Sequence, residues 1–185
     1  MIALMGSHAL LSFKRGASIL KNAVCVFPSF PAQKNIVDIE LTEKGLLERS
    51  RYPHNWDELD WKVFFAMESD PTRSFGKVGG ELGVTWNTVR DHFEKIVPDC
   101  EIWTTFYPRG YTSYQQALLK FNTKYERNLW DELKKIDRSS FIYKYDNTIL
   151  LLLFYEDFND LKRFELLKKE GKIKNLSVST PIAWL

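Results

Sequence analysis

Apolar residues recur at three- and four-residue steps from Asn55 to Pro98, and at alternate positions afterwards. That change of period from helical to strand-like divides the chain. In the first helical stretch Trp56, Leu59, Val63 and Met67 share a side, broadened by Trp61, Phe64 and Phe65. Asn55 is placed to cap it, with Asp57 and Glu58 in the first turn where acidic groups suit the helix dipole. Asp70-Pro71 stops it. Ser74 caps a second helix whose inner residues are Phe75, Val78 and Leu82. Gly79 and Gly80 each weaken such a helix by about 1 kcal/mol relative to Ala, and so read as points of close helix contact. Gly83 supplies a left-handed end. Thr85 caps a third helix with Val89, Phe93 and Ile96 inward and Trp86, Asn87, Arg90, Asp91 and Lys95 outward, ended by Pro98. Cap, glycine turn and second cap agree in register, which is the helix-turn-helix arrangement.

After Pro98 the pattern predicts a strand over Glu101–Tyr107, a turn at Pro108-Arg109-Gly110 and a strand over Ser113–Thr123. Read together they form a hairpin wing with Arg109 at or near its tip. Next come a helix over Tyr125–Ile136, a strand over Ser140–Tyr145, an Asp146-Asn147 turn and a strand over Thr148–Tyr155. A helix over Phe158–Glu170 ended by Gly171 follows, with a last strand at LSVST before Pro181. From Ser113 the order is strand, helix, strand, strand, helix, strand, the split βαβ or ferredoxin-like arrangement. The fold class expected is therefore α+β, a winged helix-turn-helix followed by a ferredoxin-like βαββαβ domain. The expected boundaries are 1–54 for an N-terminal extension, 55–112 for the winged unit and 113–185 for the ferredoxin-like dimerisation or regulatory domain. The second face of that sheet requires a cover, from the N-terminal segment or another copy. Within the extension, Ser7–Val24 reads as a helix, Val24–Phe27 and Asn35–Leu41 as strands, and Leu41–Ser50 as a short helix or tether.

Composition narrows the function. Hydrophobic residues make up 44% and aromatics 15% of the 185 residues, ample for cores. No apolar run approaches the ~20 residues that span a bilayer. The start lacks a basic region before its apolar stretch and a clear cleavage site, so no signal peptide is expected and the location expected is cytoplasmic. Cys25 and Cys100 lie far apart without metal spacing and read as reduced thiols. His8, His54 and His92 fall in different segments, and no phosphate loop, nucleophile elbow or paired acidic motif is present. No enzyme, metal or cofactor is expected.

Net charge is +2, which gives no bulk argument for nucleic acid. From Asn55 to Pro98 five basic residues face eight acidic ones, but from Pro71 onward four basic face three acidic. One copy neutralises few phosphates, so binding to duplex DNA calls for a dimer or larger assembly. In that role Thr85 and Thr88 touch phosphate or base, Trp86 packs on sugar or a thymine methyl, and Asn87 and Arg90 reach base edges. Arg73, Ser74 and Lys77 hold the backbone, with Arg109 at the wing. The alternative is a protein-interaction module on a winged helix that no longer binds DNA, using the acidic first helix and exposed Trp86.

The residues Leu59-Asp60-Trp61-Lys62, Asp70-Pro71-Thr72-Arg73, Leu82-Gly83-Val84-Thr85, Thr88-Val89 and Tyr107-Pro108-Arg109-Gly110 stand in that order before the ferredoxin-like pattern. In this the chain resembles the Lrp/AsnC (feast/famine) family of prokaryotic transcription regulators, from about Asp57 to the C-terminus. The resemblance implies homo-oligomers joined through the ferredoxin-like domain, and paired recognition helices on a pseudo-palindromic operator. Members start near the helix-turn-helix, so Met1–Ser50 is additional. A small-molecule effector such as an amino acid is implied too, but the glycine- or aspartate-rich loop that binds one in many members is not evident after Asp137.

Overall fold

A computed structural model of the chain describes residues 2–6, 24–47, 55–100 and 104–184, with only the backbone of 2–6 and 181–184 described. The helix expected over Ser7–Val24 falls almost wholly outside these residues. The chain forms two compact units, one of Met1–Ser50 with Thr105–Leu185 and one of Arg51–Thr104.

The first unit is built on six strands: β1 (Ile2–Gly6), β2 (Val24–Val26), β3 (Gln115–Thr123), β4 (Ser140–Tyr145), β5 (Thr148–Tyr155) and β6 (Ile173–Trp184). Their order across the sheet is β1-β6-β3-β5-β4-β2, antiparallel throughout. The inner four, β6-β3-β5-β4, are the ferredoxin-like sheet that the alternation predicted. Register explains its two faces. Leu119 lies opposite Leu151 and Leu118 opposite Leu152, so successive residues send side chains to opposite sides. Ala117, Leu119, Phe121, Ile149, Leu151 and Leu153 form one core with Leu129 and Leu133 of a helix at Glu126–Leu133, and with Leu161, Phe164 and Leu167 of a helix at Phe158–Lys169. Each such fully buried side chain contributes roughly 1.5–3 kcal/mol. On the other face Leu118, Leu150, Leu152, Phe154 and Phe141 are also buried within the single chain. That face is not left bare for a second copy.

The N-terminal segment belongs to this unit. It supplies both outer strands, β1 on β6 and β2 on β4. After β2 it packs onto the helical layer, adding Ile36, Ile39 and Leu41 to the core. Polar side chains of the Glu126–Leu133 helix hold it there. Glu126, only 1% exposed, accepts from the Leu47 amide and from Lys144. Glu132 accepts from the Glu40 amide and Lys34, and Asn128 from the Thr42 amide. The extension expected at 1–54, whose fold the sequence left open, thus contributes two strands and the stretch 34–47 to the sheet unit, with backbone amides of that stretch bonded to buried carboxylates.

Three local expectations are corrected. Asn35–Leu41 is not a strand. Asn35 and Asp38 exchange backbone and side-chain hydrogen bonds around a 3-10 turn at Ile36–Asp38, leaving Val37 exposed. Residues 41–47 are coil with a bridge between Gly45 and Tyr125, which agrees with the tether of the two readings, and 48–50 lie outside the described residues. Of the expected wing, residues 101–103 lie outside the described residues, and among the described ones no hairpin with β3 forms. β3 pairs with β5 and β6, whose long apolar edges match its own, while Thr104–Tyr107 is irregular and Phe106 exchanges hydrogen bonds with Ser139. The last strand runs past the expected LSVST to Trp184. It accommodates Pro181 opposite Leu4, where the β1 register shifts.

Glu132 tests the role of these carboxylates. Glu132→Ala strands the Glu40 amide and two lysines. It is expected to lower unfolding free energy by roughly 2–3 kcal/mol in urea titrations, and a change within 0.5 kcal/mol, roughly a surface-site effect, contradicts it.

Candidate nucleic-acid interface

The second unit contains α1 (Glu58–Met67), α2 (Phe75–Leu82) and α3 (Trp86–Ile96). Its core is Val63, Met67, Val78, Val89 and Ile96, with Phe75, Leu82 and Phe93 packed around it. Phe65 turns outward, 55% exposed, on the side of α1 away from this core. The helix starts follow local chemistry. Asp57, not Asn55, caps α1, accepting from the Leu59 and Asp60 amides. Ser74 accepts from Lys77 N–H at α2, and Thr85 from Thr88 N–H at α3.

The turn between α2 and α3 is set by two glycines. Gly83 takes φ 69°, the left-handed region where a Cβ costs most. Gly79 meets the turn itself: a Cβ there would lie 2.7 Å from the Val84 carbonyl oxygen. Gly80, one residue on, faces open space. Of the two glycines read as contact points, only Gly79 is one.

A polar cluster fixes α3 against α1. The Asp60 carboxylate is fully buried. It accepts from Lys95 and from the Asp57 amide at 2.8 Å, and lies 2.6 Å from His92 Nδ1. Lys95 also donates to Asp57 Oδ2 at 3.1 Å. Burial alone pushes the Asp60 carboxyl up, but the Lys95, His92 and Asp57 hydrogen bonds outweigh it and hold the group below the usual carboxylate range. Asp57, held by the Asp60 amide and Lys95, titrates at about 2. Lys95 is correspondingly raised by Asp60 and Asp57. Asp57, Asp60 and His92 are the three groups among the described residues spaced to hold a metal ion. The Lys95 ammonium already supplies the positive charge there, so the trio reads as an ion-pair cluster. Sequence reasoning placed Lys95 outward, where it is exposed, but gave it no partner, and it passed over His92. The available signal was the Asp57-x-x-Asp60 capping box, with two basic side chains one turn apart on α3.

The candidate DNA-contacting residues fall into separate groups. Trp86 is 53% exposed, and Asn87 is exposed beside it at the start of α3. Thr85 and Thr88 hydroxyls bond each other at 2.8 Å. Arg90 is engaged: its Nε and Nη2 reach Asp91 Oδ1 at 3.1 and 2.8 Å, and its guanidinium lies 5.4 Å from the Trp86 ring centroid. Arg73 donates to the Ala66 carbonyl at 2.6 Å and pairs with Glu81, clamping the end of α1 to α2. Ser74 and Lys77 are exposed at the start of α2. Arg109 lies in the sheet unit, where Glu156 binds it on one oxygen and Arg138 on the other. It is therefore not a wing-tip residue.

No protein-family model matches this chain, and no curated protein matches it. Solved structures do resemble it. AsnC of E. coli is similar over 71% of this chain and 95% of its own, with 10% identity and TM-score 0.46. An AsnC family transcriptional regulator from Agrobacterium tumefaciens is similar over 70% and 92%, with 12% identity and TM-score 0.46. A transcriptional regulatory protein of the AsnC family from Pyrococcus furiosus is similar over 71% and 92%, with 16% identity and TM-score 0.45. At TM-scores below 0.5 these likenesses carry no functional argument. Among the described residues no helix is long and apolar enough to cross a membrane.

Two measurements check the geometry. Gly79→Ala is expected to destabilise the helical unit by roughly 1–3 kcal/mol through the clash at the turn, whereas Gly80→Ala is expected to be neutral or stabilising by up to about 1 kcal/mol. Equal effects in denaturant titrations contradict the assignment. Acid is the second probe. Asp57 and Asp60 have folded values below their unfolded ones, so their contribution is complete above about pH 4 and is lost as pH falls through those values, near 2 for Asp57. Tryptophan fluorescence melts are expected to show midpoints falling over that window, less so in Asp60→Asn. An identical acid profile in both proteins contradicts the cluster's role.

Proposed function

We propose that this chain is a DNA-binding transcription regulator, acting as a dimer or higher homo-oligomer with α3 as its base-reading element. The observation that carries the reading is the α2–turn–α3 geometry. Gly79 and Gly83 set the turn, and the Asp60 cluster anchors the inner side of α3. Trp86, Asn87 and Thr88 are thereby offered at its N-terminal end, the end that meets base edges in this motif. Asn87 has the donor and acceptor pair suited to adenine, and Trp86 the apolar surface suited to a thymine methyl. Ser74 and Lys77 suit the phosphate backbone. Arg90 is a weaker candidate for guanine, because Asp91 competes for its guanidinium. Assembly through the sheet unit uses a surface other than the sheet's second face, whose leucines are buried within one chain.

The test is fluorescence anisotropy with random and genomic duplexes at several salt concentrations, beside a light-scattering molar mass. Binding that weakens steeply with salt, a preferred subset of duplexes and a mass of two or more copies are expected. Asn87→Ala is expected to cost roughly 1–3 kcal/mol on a preferred duplex and little on random sequence. Absence of any duplex preference overturns the reading. Absence of salt-dependent duplex binding does so as well, and favours a module that binds protein.

A further inference from the structure

The two units carry opposite charge. Arg51–Thr104 has six Lys and Arg against ten Asp and Glu, a net of −4, while the rest of the chain has twenty against fourteen, a net of +6. The unit that holds α3 is therefore the one that a polyanion repels. Six of the cations of the sheet unit stand together at one end. There the turn after β3 meets the turn between the Phe158–Lys169 helix and β6. Thr123 lies opposite Ile173, and its hydroxyl donates to the Lys172 carbonyl. Lys172 Nζ sits 4.8 Å from the Tyr125 ring centroid. The Gly45 amide donates to the Lys124 carbonyl, and the Arg127 amide to the Gly45 carbonyl. These contacts gather Lys44, Lys124, Arg127, Lys169, Lys172 and Lys174 at one end of the sheet.

None of the six forms an ion pair among the described residues, and all but the half-buried Lys172 are exposed. Most other described cations of the unit are paired: Lys34, Lys135, Lys144, Arg109, Arg138 and Arg163 each meet a carboxylate, as do Lys134 and Lys168, while Lys120 and Lys162 stand singly on other parts of the surface. The acids near this end include Glu43, Asp146, Glu170 and Asp131, which lines one pocket with Arg127; Glu170 is held by Arg163 and Asp131 by Lys134. Cations outnumber acids across the patch. Lys169 serves the helix dipole where it stands, but Lys44, Lys124, Lys172 and Lys174 lie on loops, turns and a strand end, and Arg127 lies in the first turn of its helix, where a cation gains nothing from the dipole.

We propose that this lysine-rich end of the sheet unit is a sequence-independent docking surface for the phosphate backbone of duplex DNA. It supplies the electrostatic attraction that the acidic helix-turn-helix unit lacks. The inference rests on the regulator reading for its partner, and divides the work. Charge-driven affinity lies in the sheet unit and base preference lies in α3.

The experiment measures affinity for a random-sequence duplex against salt concentration. It compares the full-length protein, a variant carrying Lys124→Gln, Lys169→Gln, Lys172→Gln and Lys174→Gln, and an equal-charge control carrying Lys62→Gln, Lys120→Gln, Lys134→Gln and Lys162→Gln. Circular dichroism melts verify that each variant folds. The patch variant is expected to flatten the slope of log K against log salt by about 0.9 for each phosphate it no longer neutralises, roughly 2–4 in all, with the control shifting by less than about 1. Equal slopes in the patch variant and the unsubstituted protein overturn the proposal, as does an equal flattening in the control. The base-reading account is scored separately, on preferred against random duplex. Preference that survives with an unchanged slope removes the patch and keeps that account. A patch-dependent slope with no preference removes the base-reading account and keeps the patch. Absence of duplex binding removes both.

Discussion

Asp60 has no solvent exposure, yet it is a carboxylate, and a buried charge of this kind is tolerated only when its partners are in place. Those partners are Lys95 and His92, one turn apart on α3, and the Asp57 amide at the start of α1. The pairing fixes how α3 sits on α1 and therefore which of its sides faces solvent. The small apolar core of the unit, built on Val63, Met67, Val78, Val89 and Ile96, is non-directional and sets no such rotation by itself. Hydrogen bonds to a buried carboxylate do. Lys95 is tied to Asp60 and Asp57 while remaining exposed, and α3 also shows Trp86, Asn87, Asp91 and Glu94 to solvent, with Thr88 and Arg90 half-buried. The readout proposed for it rests on the uncharged Trp86, Asn87 and Thr88 at its N-terminal end.

The sheet unit solves a related problem with the same chemistry. A ferredoxin-like sheet has two open edges and one face without helices. Here β1 and β2 occupy the edges, and the leucines of the second face are buried. The segment that follows β2 is held by Glu126, Asn128 and Glu132, which accept from backbone amides as much as from lysines. In both units buried carboxylates specify arrangement, while leucines, isoleucines and phenylalanines supply the driving force.

Most of the elements were legible because their signals are local. β5 is bounded as the apolar run and the Asp146-Asn147 turn require, and Asp146 takes φ 49° there. Ser74, Gly83 and Thr85 cap where the sequence places them. The failures share a cause, since each turns on partners distant in the chain. Ser113–Thr123 alternates well enough for a hairpin, but β5 and β6 compete for it, and the sequence around Pro108 does not reveal that competition. NIVDIEL also alternates, yet the Asn35 and Asp38 side chains close a turn within it. At the candidate interface Trp86, Asn87 and the caps were readable from spacing on one helix. The Asp60–Lys95 contact spans 35 residues, and the Arg73 clamp depends on where Ala66 and Glu81 come to rest. No periodicity reports such contacts.

In the function proposed, charge distribution divides the tasks of the two units, with base contacts from the N-terminal end of α3 and the bulk attraction from the sheet unit. Most of this depends on Thr85 to Arg90 meeting the duplex. Amide chemical-shift mapping of the isotope-labelled protein during titration with duplex DNA tests it directly. The largest shifts are expected to cluster at Thr85, Trp86, Asn87, Thr88 and Arg90. Saturation with those amides unmoved, while signals elsewhere shift, would contradict it.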